Sequence, residues 1–369
     1  MNDQFSAEFR TFLSSVTDPR TPGGNFKYPL SEILFHSVAA ALCGLRDWTE
    51  IAIFGNSQLV WLRKYLPFAN GTPSHDCLGD IFGLINHETF TAAFTRWATS
   101  LNVLANGDVV AIDGKTLCGS HDRSNGKAAI HLVSAFAASQ GITLAQRKVD
   151  DKSNEITAIP ELIDALILEG CLVTIDAMGC QHAIVEKITE AKADFVIAVK
   201  DNQPTLFEQV QQAFANTKPS EEYADHDAGH GRVESRRCRV VNNLRWLPQA
   251  AHWPEVKAVA RIDSRRYNKQ TGVEETASRF YICSIDSARQ IHQAVRSHWS
   301  IENQLHWVMD VSFGEDGARK REKQSVENFA LVTKTALNLI RQHPSKGSVK
   351  GRRIKAAFDT DFRESLMFT

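Results

Sequence analysis

Three carboxylates stand where an isolated acid is costly. If the stretch from Ile291 onward is a helix, Glu302 has Val295, His298, Trp299, Leu305, His306 and Met309 as its neighbours three, four and seven residues away, which places it in an apolar stripe. Asp113 and Asp176 each follow a short run of apolar or small residues (109–112 and 172–175), and each is followed by small ones. Two buried strands ending this way would set two carboxylates side by side at one sheet edge, where open α/β sheets place their sites. Singly, each has an ordinary explanation: Glu302 pairs with Arg296 or a histidine, and the aspartates cap the turns after them. Together, three unpaired acids repel and shift upward in pKa, and a divalent cation that prefers oxygen ligands relieves them. The expected occupant is Mg²⁺ or Mn²⁺, as two ions about 3.5–4 Å apart that activate a water or 3′-hydroxyl and stabilise the leaving oxygen of a phosphodiester. Asp113, Asp176 and Glu302 are thus the expected catalytic and metal-holding residues.

Other residues compete or assist. His298, Glu302 and His306 recur every four residues, a spacing that can bind zinc from one helix, although the chain has no HExxH arrangement here. Asp310 is the rival third acid, and with Glu315 and Asp316 it also reads as a solvated helix end. Lys115 and Lys200 are expected phosphate contacts or solvated lysines. Asn202 and Gln203 either orient DNA or a metal-bound water, or form a turn. Arg232, Arg236 and Arg237, with Trp246 and Trp253 nearby, either grip a DNA end or belong to a core. His298 and the basic residues Arg319 and Arg321 complete the expected DNA contacts.

Several elements must position these groups. Residues 1–105 read as a helical domain, with Ser31 and Asp47 as helix caps, followed by segments opening at Pro73-Ser74 and Glu88. From Asn106-Gly107 the pattern changes to a strand at 109–112, a hairpin about Ser139-Gln140-Gly141, then alternating helices and strands to Val199. Three leading strands followed by alternation predict a mixed five-stranded sheet with flanking helices, within a domain spanning 106–345. Residues 216–230 read as a polar loop, and 218–286 as a β-rich insertion before the helix that bears Glu302. A helix over 326–340 and a basic C-terminal tail, 346–369, close the chain.

Composition sets bounds. The 369 residues allow two domains or one large domain with an insertion, and 43% hydrophobic with 23% charged residues are ordinary for a globular protein. A formal charge of −1 does not mark a nucleic-acid binder, so any polyanion site must come from local clustering or from a bound metal ion. Seven scattered cysteines with no C-x-x-C pair argue against structural zinc and against a disulfide framework. The acidic start MNDQFSAEFR does not resemble a signal peptide, and no apolar run is of membrane-spanning length, so a cytoplasmic location is expected, nucleoid-associated when on DNA.

Six stretches carry a family resemblance: AIDGKTL (111–117), KSNEITAIPELI (152–163), TIDAMGCQ (174–181), AVKDNQPTL (198–206), HGRVESR (230–236) and HWSIENQLHWVMDVSFGED (298–316). They resemble the bacterial H-repeat-associated proteins, a branch of the DDE-type insertion-sequence transposases. The resemblance implies a ribonuclease H-like catalytic core with a β insertion, and metal-dependent DNA cleavage and strand transfer at element ends. By motif position, Asp113 matches the first acid, Asp176 the second and Glu302 the third. It also implies double-stranded DNA partners (terminal inverted repeats and target) and a homodimer on DNA. Val295, His298 and Met309 stand where related insertion-sequence transposases carry Tyr, Arg and Lys, and His298 is usual in the H-repeat branch. Cys118 and Asp201 stand where that branch generally has Arg and Gly. These departures keep a second reading open, that of an inactive or repurposed transposase-derived DNA-binding protein.

Overall fold

The computed structural model describes residues 2–21, 26–101, 104–121, 129–149, 154–229, 231–245, 253–317, 320 and 323–368. The chain opens with six helices: α1 (Asn2–Ser15), α2 (Leu30–Leu42), α3 (Trp48–Ser57), α4 (Leu59–Leu62), α5 (His75–Leu84) and α6 (His87–Ser100). Asp47 caps α3 in a reciprocal capping box with Glu50. Ser31 does not cap α2, which already begins at Leu30 behind Pro29.

Next come β1 (Val109–Leu117), β2 (Ile130–Ala137), β3 (Ile142–Lys148), α7 (Glu155–Asp164), β4 (Leu172–Ile175), α8 (His182–Glu190), β5 (Asp194–Val199) and α9 (Pro204–Asn216). β1 runs antiparallel to β2 and parallel to β4, and β4 runs parallel to β5. The strand β4, LVTI, is buried at all four positions, which is why it reads as a run of apolar or small residues without alternation. This is the mixed sheet expected from the sequence. It does not stop at five strands, however.

The insertion's strands, β6 (Glu221–Gly229), β7 (Arg232–Val241), β8 (Ala258–Asn268) and β9 (Glu274–Cys283), extend the same sheet. Its order is β3-β2-β1-β4-β5-β9-β8-β7-β6, joined where β9 pairs antiparallel with β5. The join is driven by burial: Phe280–Cys283 at the inner end of β9 are buried, whereas Glu274–Arg279 at its outer end are exposed. β6 corrects the polar loop expected over 216–230. Its sequence, EEYADHDAG, has no buried position because it is the sheet's outer edge, so hydrophobic alternation could not reveal it.

The chain then runs through α10 (Ala288–Ser300), a π-helical turn (Ile301–His306), α11 (Trp307–Val311) and α12 (Ser325–Gln342). The helices α7 to α9 cover one face of the sheet over a core containing Ile112, Ile159, Val173, Ile184 and Ile197. The basic stretch from 346 onward forms α13 (Val349–Phe358) and α14 (Thr360–Phe368), whose Ala356, Phe362 and Leu366 join a cluster with Phe9, Phe35, Phe94 and Leu337. No helix among the described residues is long and apolar enough to cross a membrane, and all seven cysteines are free thiols.

Candidate active site

The parallel ladder between β1 and β4 ends at the pair Ile112–Ile175, so Asp113 and Asp176 emerge side by side just beyond it. Asp113 is not at a strand end. β1 continues to Leu117 because β2 still pairs with it, with Asp113 opposite Ser134. The apolar run stopped at Ile112 because the strand leaves its parallel neighbour there, not because the strand ends. Asp176 caps the turn Ala177–Gly179, accepting a 2.9 Å hydrogen bond from the Met178 amide.

Glu302 lies in the π turn, whose wider winding breaks the 3.6-residue stripe. Ile301 and Leu305 face inward instead, and the Glu302 side chain is 48% exposed, which corrects its expected place in the apolar stripe. It opens into a cavity of about 200 Å³ that Asp113, Asp176 and Lys200 also line. Ligand atoms of Asp113, Glu302 and His306 all lie within 4.8 Å of one another. His306 Nδ1 is 3.6 Å from Asp113 Oδ2 and 3.5 Å from Glu302 Oε2, while its Nε2 is buried with no hydrogen-bond partner among the described residues.

The electrostatics fit a crowded acid cluster. Burial, a hydrogen bond with Glu302 and the charges of Glu302 and Asp176 push the Asp113 carboxyl up to about 8. Asp176 is also raised, by burial and then by Glu155, against the Met178 amide and Lys200. Burial, and then Lys334 and Lys115, drive His306 down to about 3, so it is neutral at physiological pH and able to offer a lone pair. Three acids on one cavity, with the neutral imidazole of His306 buried beside two of them, match the donor chemistry of a divalent metal centre.

The other expected residues are distributed as follows. The Lys115 ammonium contacts Asp310 and lies 3.1 Å from Glu315, so both it and the rival acid Asp310 are held in an internal ion-pair cluster. Lys200 is exposed and lines the acid cavity. Asn202 donates to the Ala177 carbonyl at 2.5 Å and Gln203 to the Cys180 carbonyl at 2.9 Å, which clamps the loop carrying Asp176. His298 lines the acid cavity with its Nδ1 3.0 Å from the Thr174 hydroxyl, and the cluster of close ligand atoms among the described residues is Asp113, Glu302 and His306, without it, so the expected His298–Glu302–His306 zinc set is not assembled. Burial lowers the His298 pKa to about 4.

Arg232 is exposed at the tip of the β6–β7 hairpin, and Arg236 is paired with Glu234 at 2.5 Å. Trp253 is a core residue stacked on His182, with ring centroids 3.7 Å apart. Arg319, Arg321 and Trp246 fall outside the described residues. Lys320, from the same basic cluster, is buried with its ammonium 4.6 Å from the Trp48 ring centre and 3.8 Å from that of Phe329. Sequence reasoning passed over Arg279, whose guanidinium lies 5.2 Å over the Trp299 ring. The two form a wall shared by the acid cavity and a neighbouring groove of about 570 Å³. Nothing in the sequence brings Arg279 near Glu302, because β9 reaches the site only through its pairing with β5.

The chain is similar to known proteins over most of its length. The family described as "Transposase DDE domain" matches residues 105–339, and one described as "DDE_Tnp_1-associated" matches residues 10–98. The chain is 39% identical over 366 residues to "Putative transposase YncI" of Escherichia coli O157:H7, covering 96% of this chain and 93% of that protein. It is 35% identical over 352 residues to "H repeat-associated putative transposase YhhI" of Escherichia coli (strain K12), covering 92% and 93%. Among solved structures, the piggyBac transposase synaptic complex with hairpin DNA overlaps 99% of this chain and 78% of its own, with a TM-score of 0.45 at 10% identity, too remote for a conclusion.

Proposed function

We propose that this chain, which belongs to the bacterial H-repeat-associated family of DDE transposases, cuts DNA at the ends of an insertion sequence and joins those ends to target DNA. The observation that carries the reading is the convergence of Asp113, Glu302 and His306 within 4.8 Å, with Asp176 on the same cavity. Asp113, Asp176 and Glu302 would hold Mg²⁺ or Mn²⁺, as a pair of ions. Bound there, such ions would supply activation of a water or 3′-hydroxyl and charge stabilisation for the leaving oxygen.

The remaining tasks fall to the chain itself. Lys200, exposed on the cavity wall, meets a phosphate beside the one being cut. Asn202 and Gln203 support DNA binding by fixing the loop that presents Asp176. His298 ties the helix before Glu302 to β4 through Thr174. Arg232 and Arg236 on the insertion, with Arg319 and Arg321, contact DNA further from the cut. In this reading the strands β1–β5 form a ribonuclease H-like core within a catalytic domain of residues 106–345, behind a helical domain of residues 1–105. Two copies pair the two element ends.

The test is nicking of the element's own terminal-repeat DNA. Wild type should require Mg²⁺ or Mn²⁺, and Asp176→Asn should lower the rate at least ~100-fold while its circular dichroism spectrum is unchanged. An Asp176→Asn protein that cuts as fast as wild type ends the proposal. Binding of DNA without any metal-dependent cutting favours the repurposed DNA-binding protein instead.

A further inference from the structure

Asp113 and Asp176 are set by paired strands, but Glu302 stands on a helical segment and depends on whatever ties that segment to the sheet. Its turn is wound wide. The Glu302 carbonyl accepts from the Trp307 amide five residues on, and Ile301 and Leu305 are fully buried while the Glu302 side chain opens outward. Rewound to 3.6 residues per turn, the stretch would return Glu302 to the apolar stripe of Val295, Leu305 and Met309. The winding therefore decides where the third carboxylate points.

Arg341, in the last turn of α12, grips that wide turn at two points. Its Nη2 donates to the Gln304 backbone carbonyl at 2.9 Å and its Nη1 to the Gln304 side-chain oxygen at 3.0 Å. Its Nε is buried with no hydrogen-bond partner among the described residues, so Gln304 is the residue this guanidinium serves. Three residues earlier on the same face of α12, Asn338 is buried and pairs with the backbone of Thr143 in β3. It accepts from the Thr143 amide at 3.0 Å and donates to the Thr143 carbonyl at 2.9 Å. Gly141, in the β2–β3 turn, covers the grip: a Cβ there would lie 3.0 Å from Arg341 Nη1 and 3.2 Å from Gln304 Oε1. A line of contacts thus runs from β3 through Asn338, Arg341 and Gln304 to the turn that bears Glu302.

We propose that Arg341 is a positioning residue for Glu302: with α12 anchored to the sheet through Asn338, it grips Gln304 and holds the π turn in the winding that directs the Glu302 carboxylate into the cavity lined by Asp113 and Asp176. This rests on the reading of the acid cluster as a metal centre. Arg341 touches neither the ion nor the DNA being cut. The role differs from that of a general brace, because its effect on metal binding passes through one carboxylate and vanishes once that carboxylate is removed.

The experiment uses the full chain and Mn²⁺ alone, with bound ion measured by electron paramagnetic resonance, followed by the nicking assay. Arg341→Met, which keeps a long side chain but has no donors, should bind Mn²⁺ about tenfold more weakly and lower kcat for nicking while KM for DNA is unchanged. Arg341→Lys, able to reach one of the two oxygens, should recover part of that loss. In a Glu302→Gln background, Arg341→Met should cost no further Mn²⁺ affinity, whereas a brace of the whole fold would cost the same factor again. If Arg341→Met does not fold, Gln304→Ala, which removes one of the two bonds, takes its place in the same comparison. Mn²⁺ affinity unchanged in the folded variants, or an equal loss with and without Glu302, overturns the inference, as does a wild type that binds no Mn²⁺. Wild type that binds Mn²⁺ but never cuts DNA overturns the transposase reading instead, and the Mn²⁺ affinities then decide the positioning role by themselves.

Discussion

Two regions of the nine-stranded sheet treat charge in opposite ways. In the β6–β9 ribbon, acids and bases are matched: Arg239 and Arg261 on Asp263, Arg265 on Glu274, Arg236 on Glu234, and Arg296 of α10 on Asp225 and Asp227. Where β1 and β4 separate, carboxylates face carboxylates. Asp113 meets Glu302, and the charge of Asp176 raises the Asp113 carboxyl further, as that of Glu155 raises Asp176. Lys115, only two residues from Asp113, is held by Asp310 and Glu315 and does not relieve them. The chain as a whole has 43 acids against 42 bases, so total charge distinguishes nothing. What marks the site is like charge gathered at one place, on a scaffold where opposite charges are otherwise paired.

The contrast can be broken by removing one base from each kind of cluster. Lys115→Ala leaves Asp310 and Glu315 facing each other in a mostly buried setting and should cost roughly 3 kcal/mol in urea unfolding. A loss no larger than that of a surface lysine would show that the internal cluster is not compensated as described. Arg239→Ala removes one of two bases from a ribbon acid that is still partly open to water. It should cost about 1 kcal/mol or less and leave nicking unchanged.

Between these two lies a pH effect. Asp113 has its carboxyl raised to about 8 from an ordinary 3.8, so the folded state binds that proton more tightly than the unfolded chain does. Its contribution to stability is fully present below the ordinary value and is lost as pH rises through about 8. The metal-free protein should therefore melt at lower temperature as pH rises across that window, and Asp113→Asn should flatten the trend. A slope unchanged in the variant would place the titrating group elsewhere. Mn²⁺ should restore the melting temperature of wild type at the alkaline end, by mass action on the folded state.

Much of the scaffold was legible because burial writes itself into composition. The runs before Asp113 and Asp176 are apolar or small on both faces, as strands inside a helix-covered sheet must be, and Asp47 reads as a helix cap, which it is at the start of α3. The parts that were not legible depend on partners far away in sequence. β6 has no buried position and is a strand because β7 pairs with it. A strand end inferred from the last apolar residue misses that Asp113 is still paired through β2. The π turn at Ile301–His306 defeats any template of regular helical period, which is why Glu302 was assigned to the core side of its helix. Lys115 looked like a free phosphate contact because Asp310 and Glu315 lie roughly 200 residues away.

The most direct measurement is a crystal of the wild-type protein soaked in Mn²⁺, with data collected at the manganese absorption edge. The account predicts an anomalous peak bounded by the carboxylates of Asp113, Asp176 and Glu302, absent from an Asp113→Asn crystal soaked in the same way. A strong peak elsewhere with none between these three groups would contradict it.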